Sequence, residues 1–208
     1  MLTRRSLLIA AAYVPLGACA RSIILSGEPR GLRVATSNSW HDARNSLARL
    51  SRRDEQLGRA GPDVIALQEV LEDKARNLPN QAETLARALG GYSTRFASTS
   101  PEGAPRRYGN AVLTRLPIIE TSSVALEPTN DFRTALRVRV DLNGSPADMV
   151  CTHLAWQAEA GAVRARQVEH LLSWLPADGV PLVLMGDFNA ALDDPGLARL
   201  EEACAARD

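Results

Sequence analysis

The chain has 208 residues, 24 basic against 24 acidic side chains and 45% hydrophobic composition. That length gives one domain with a sizeable core, and the even charge excludes the basic surplus on which a general nucleic-acid binder relies. Lys74 is the only lysine, so the basic side is almost all arginine, a bias to which no function is attached.

Residues 1–18 have the form of an export signal. Thr3-Arg4-Arg5-Ser6-Leu7-Leu8 resembles a bacterial twin-arginine motif, and the apolar run from Leu7 to Leu16 is too short for a permanent membrane span. Leu16-Gly17-Ala18-Cys19 resembles a lipobox, in which Cys19 is lipidated after cleavage; the alternative is an ordinary cleaved signal with an incidental Cys19. The expectation is an exported bacterial protein, periplasmic or held at the cell envelope through a lipid on Cys19. Cleavage there removes Arg4 and Arg5 and leaves 22 basic against 24 acidic groups. Residues 19–31, with Gly27 and Pro29, read as a tether, and residues 32–208 as the domain.

A strand is predicted up to Asn38, followed by a helix capped by Asp42 with Ala43, Leu47, Leu50 and Leu57 on one face and Arg44, Arg49, Arg52 and Arg53 towards solvent. Gly58 and Gly61-Pro62 stop it. A second strand runs to Glu69, and a second helix shows Leu78, Ala82, Leu85 and Leu89 at helical spacing before Gly90-Gly91. Tyr92 to Phe96 reads as a short strand, and Ser98 to Arg107 as a polar, mobile loop. Further strands are expected at Tyr108–Thr114 and Arg133–Val140, the latter with arginines on a wet face, and Asn143-Gly144 signals a hairpin into a strand ending at His153. A helix over about 159–175 precedes the stretch Leu182 to Ala190, which reads as a buried strand whose apolar run stops at Gly186. Trp156 and Trp174 are expected in the core, and His41 and His170 on the surface or a helix face. Cys151 reads as a small core residue; nothing demands a disulfide between it and Cys204.

Apolar runs stop at polar residues in four places: Asn38, Gln68-Glu69, His153, and Asp187 with Asn189. Gly186 is expected to bend the backbone there, with Phe188 turned to the core. Ligands of α/β proteins bind beyond the carboxyl ends of strands, so these residues are expected to share one cleft, although each taken singly suits a strand-end cap or turn. Two carboxylates and the amides beside them form an oxygen-rich set that suits magnesium or manganese better than zinc, and with it phosphate.

These segments resemble the endonuclease/exonuclease/phosphatase superfamily. The resemblance is carried by Thr36-Ser37-Asn38, Pro62 to Val70, Tyr108-Gly109-Asn110-Ala111-Val112-Leu113, Thr152-His153-Leu154, Arg164 with Gln167, and Gly186-Asp187-Phe188-Asn189, in the family's order. It implies a four-layer α/β sandwich, two packed mixed sheets flanked by helices, and divalent-metal-dependent phosphoester hydrolysis on a phosphorylated small molecule, a lipid headgroup or nucleic acid. By the same resemblance Asn38 and Glu69 hold the metal, His153 contacts a phosphate oxygen, and Asp187 and Asn189 orient the nucleophile or stabilise the transition state. Asn110 and Arg133 become substrate contacts, although Arg133 equally suits the wet arginine face.

The sequence departs from the family after Asn189. Members continue for several tens of residues to a closing Asp-His pair, whereas no histidine follows His170 here. The expectation is a domain whose closing strands are missing, with an exposed sheet edge, a possible second chain completing the fold, and turnover impaired by loss of the general base. The alternative is an inactive homologue that serves as a surface binding module or a gene remnant.

Overall fold

The computed structural model describes residues 9–11, 21–24, 31–39, 46–191 and 193–205. The twin-arginine motif, Cys19, His41 and the Asp42 cap lie outside the described residues.

Two five-stranded mixed sheets pack face to face. The first holds β2 (Arg21–Ile24), β3 (Arg33–Asn38), β4 (Val64–Asp73), β6 (Arg106–Thr114) and β5 (Ser93–Ser98), in that spatial order. The second runs β1 (Ile9–Ala11), β10 (Leu182–Asp187), β9 (Ser145–His153), β8 (Thr134–Leu142) and β7 (Ile118–Ala125). Helices α1 (Ser46–Ala60) and α2 (Gln81–Leu89) belong with the first sheet, α3 (Gly161–Trp174) and α4 (Pro195–Ala205) with the second.

Period-two burial creates the layers. On β4, Val64 and Ala66 face the second sheet and join Val34, Val112, Leu136, Val138, Met149, Cys151 and Met185 in the central core. Their neighbours Ile65 and Leu67 face outwards onto Leu57 of α1 and Ala82 and Leu85 of α2. Val150 and Leu184 on the second sheet do the same towards Val168 and Leu171 of α3 and Leu197 and Leu200 of α4. The expected four-layer sandwich is therefore what the chain forms.

Several expectations change in detail. Part of the expected tether, Arg21–Ile24, pairs antiparallel with β3, and Ile9–Ala11, inside the expected export signal, lies parallel to β10, so the outer side of β10 is paired over Leu184–Gly186. Arg53 does not point to solvent: it is buried and donates from Nη1 to Ser39 Oγ at 2.9 Å. The wet arginine face of β8 is an ion-pair network, in which Asp148 accepts from Arg139 Nε at 2.9 Å and Nη2 at 2.8 Å and from buried Arg137, which also pairs with Glu120. Asn143 and Gly144 form the expected hairpin turn, both with positive φ. No helix among the described residues is long and apolar enough to cross a membrane.

Candidate active site

Four strands deliver the site. β3 stops at Asn38, β9 at His153 and β10 at Asp187, and β9 and β10 run parallel with Asp187 level with His153. β4 differs: it does not end at Glu69 but continues to Asp73 through an irregularity in its pairing with β6 between Leu67 and Val70. Glu69 sits in that irregularity with φ 57°, and this local kink, not a strand end, turns its carboxylate out of the ladder.

The Asn38 side-chain nitrogen donates to Glu69 Oε1 at 3.0 Å and to Asp187 Oδ2 at 2.9 Å. Two carboxylates thus converge on one amide. Asp187 Oδ1 accepts the backbone N–H of Asn189 at 3.1 Å, and the Asn189 side chain donates to the Leu154 carbonyl at 3.1 Å. Gly186 is needed here for proximity, not for bending, because a Cβ at this position would lie 2.2 Å from the carbonyl oxygen of Thr152. Phe188 packs in the core, as expected.

His153 is buried, and its Nδ1 lies 3.1 Å from Arg133 Nη1. A guanidinium only donates, so Nδ1 accepts and the ring proton is on Nε2, which faces Asp187 Oδ2 at 4.0 Å. Burial, and then the charge of Arg133, push the His153 pKa down to about 3. The imidazole is therefore a neutral donor whose basic nitrogen is already occupied. Burial and the Glu69 charge raise Tyr108 above the usual phenol range, so its hydroxyl keeps its proton.

The donor chemistry fits a hard divalent cation. Glu69 and Asp187 are carboxylates, and exchanging the O and N of the Asn38 amide by a flip turns its oxygen to the same point. Among the described residues no group of three or more His, Cys, Asp or Glu side chains gathers for a metal. The protein thus offers a partial oxygen set of the kind around which magnesium keeps several waters.

The sequence profile of the endonuclease/exonuclease/phosphatase family matches residues 33–203. The chain belongs to this family. Among solved structures it is similar to an endonuclease/exonuclease/phosphatase from Beutenbergia cavernae, with 28% identity and TM-score 0.66 over 83% of this chain and 53% of that one. It shares its fold with a humanized D. rerio TDP2 (21% identity, TM-score 0.63, 81% of this chain and 70% of that one). Sphingomyelinase C from Streptomyces griseocarneus gives 21% identity and TM-score 0.63 over 83% and 69%. No curated protein matches by sequence.

Within this family framework the other expected residues take different places. Asn110 donates its amide to the Thr134 carbonyl at 2.8 Å and hydroxyl at 3.0 Å, so both of its hydrogens tie β6 to β8 across the two sheets. Arg133 is buried behind His153, off the strand face on which it was expected. Trp174 is partly buried against the α3 layer, but Trp156 is 66% exposed, contrary to the expectation that it packs in the core. His170 accepts the Glu127 N–H on Nδ1, a helix-face role. Sequence reasoning gave no role to Asp131: its Oδ2 lies 3.4 Å from Arg133 Nε and accepts from Gln167 Nε2 at 2.7 Å. Its only signal was the polar turn Pro128-Thr129-Asn130-Asp131.

Proposed function

We propose that this family member binds magnesium or manganese at Asn38 and Glu69, beside Asp187, and hydrolyses phosphoester bonds by in-line attack of water. The observation that carries the reading is the convergence of Glu69 and Asp187 on Asn38, next to a histidine fixed as an Nε2–H donor. When bound, the cation neutralises charge on the phosphoryl group. His153 donates from Nε2 to a non-bridging oxygen and stays neutral while doing so. Asp187 orients the attacking water through Oδ2, and Asn189 acts as a positioning residue by holding Oδ1. The near-neutral charge of the chain favours a small phosphorylated molecule or a lipid headgroup over DNA.

Arg133 occupies the free nitrogen of His153, so we assign removal of the water's proton to Asp187 and not to His153. The same capped histidine favours a second reading, a module that binds phosphate without turning it over. Hydrolysis of bis(p-nitrophenyl) phosphate by the purified chain separates the two. Metal-dependent turnover that disappears in both Glu69→Ala and Asp187→Ala supports the enzyme; a folded wild type no faster than its variants leaves the binding module.

A further inference from the structure

One buried amide ties His153 to the helix layer behind it. Gln167 lies on the face of α3 that also buries Arg164, Val168 and Leu171, and it is fully covered. An apolar side chain would suit such a place, whereas an amide buried without partners costs about 1–3 kcal/mol. Both ends of this amide are engaged: Oε1 accepts the Ala155 N–H at 2.9 Å, and Nε2 donates to Asp131 Oδ2 at 2.7 Å. The partners fix which end is which. A backbone N–H only donates and an ionised carboxylate only accepts, so the amide cannot turn over without losing both bonds.

Each bond holds a different segment of chain. Ala155 is two residues beyond His153, the last residue of β9. Asp131 is two residues before Arg133, in the turn that leads into β8. Between them Phe132 takes φ 56° and ψ 39°, a left-handed backbone that a bulky residue keeps only where its surroundings impose it. α3 thus grips the chain beside both members of the His153–Arg133 pair.

Asp131 does not hold Arg133 by a directed bond. Arg133 Nε is buried with no hydrogen-bond partner among the described residues, and Asp131 Oδ2 stands 3.4 Å from it as a counter-charge. Charge attraction has no preferred angle, so the guanidinium settles according to where the carboxylate is placed. Gln167 sets that place, because its bond is made to the same oxygen. With the bond in place, Arg133 Nη1 meets His153 Nδ1 at 3.1 Å. Without it, Asp131 can swing to take a directed bond from Arg133 and draw the fork off the ring.

We propose that Gln167 is a positioning residue for His153: through Asp131 and Arg133 it keeps the ring proton on Nε2, towards the phosphate oxygen, without touching substrate itself. Its link to phosphate rests on the phosphoester reading of the site.

Nitrogen-15 NMR of the histidine rings in the full chain at pH 7, without ligand, tests this role. The His153 signals are identified by their loss in His153→Gln. The wild type is expected to show the Nε2–H ring alone, with Nδ1 shifted as a hydrogen-bond acceptor. Gln167→Met removes both bonds at similar length, and Gln167→Glu can accept from Ala155 but not donate to Asp131. Both variants are expected to lose the acceptor shift and to populate the second tautomer. Their affinity for inorganic phosphate with magnesium is expected to fall roughly twofold to tenfold, the range of one hydrogen bond. Asn80→Ala, which removes the cap of α2 and lowers the melting temperature, keeps both the ring signals and the affinity. A His153 ring unchanged in Gln167 variants that melt cooperatively overturns the role and leaves Gln167 a structural tie. If those variants do not fold, Asp131→Ala cuts the same path at a less buried side chain, and an unchanged ring there overturns the role equally. A wild type that binds no phosphate sinks the phosphoester reading alone, and the ring signals then decide the role of Gln167.

Discussion

His153 and Arg133 constrain one another, and the constraint has a pH signature. An unperturbed histidine titrates near 6.5, but in the fold the value is about 3. Between these limits the unfolded chain binds a proton that the folded chain refuses. Stability is therefore full above about pH 6.5 and falls as pH drops towards about 3, by at most about 1.4 kcal/mol per pH unit from this group. Urea midpoints at pH 7 and pH 5 are expected to separate more in the wild type than in His153→Gln, and equal separations would contradict the assignment. The residues that end apolar runs, Asn38, His153 and Asp187, were legible in the sequence because burial and reactivity change sign at one position. The partner of His153 was not, because Arg133 reaches it from a loop whose path depends on Asp131 and Gln167. Trp156 misled because a large apolar side chain ordinarily repays burial, and a ring displayed by anchored loops leaves no periodic trace.

At the scale of elements, the register between β9 and β10 sets how closely Asp187 approaches His153. Gly186 permits it, since any side chain there meets the Thr152 carbonyl at 2.2 Å. Gly186→Ala must push two buried parallel strands apart, and overpacking of this kind costs about 1–3 kcal/mol or more. For a chain of this size the melting temperature is expected to fall by at least about 2–4 °C, with loss of phosphate binding as the strand tips separate. A circular-dichroism melt matching the wild type would show that the strands can accommodate a methyl group. Most strands and the helices α1, α2 and α3 were readable from apolar spacing, and the Asn143-Gly144 hairpin from its turn residues, whereas α4 went unpredicted. The continuation of β4 past Glu69 was not, because a bulge looks in sequence like the end of a strand. β7 escaped too, because Glu120, Thr121, Ser122 and Ser123 mask the alternation of a strand that, among the described residues, is paired along one side.

At the scale of the whole molecule, polar ties fasten the two sheets near the site. Asn110 reaches Thr134, and Gln68 donates from Nε2 to Cys151 Sγ at 3.2 Å, while apolar side chains fill the rest of the space between the sheets. Burial pushes the Cys151 thiol up to about 12, so it stays protonated and inert. We further propose that the domain is tethered to the cell envelope through a lipid on Cys19, a reading supported by Leu16-Gly17-Ala18-Cys19 and by Arg4-Arg5. Radiolabelled palmitate fed to bacteria expressing the gene is expected to enter the wild-type chain and not Cys19→Ala; absence of label from both would remove the anchor.

Among the described residues, five other than glycine have positive φ, and two of them, Asn77 and Asn143, serve ordinary turns. The other three, Glu69, Phe132 and Asn189, all lie at the site or its rim. A glycine at any of the three would relieve backbone tension, so selection for heat resistance alone is drawn towards the positions that the proposed chemistry needs. Evolution of this domain in the laboratory therefore calls for a screen that scores phosphate binding together with survival, or the hardiest descendants will be the ones that have lost the site.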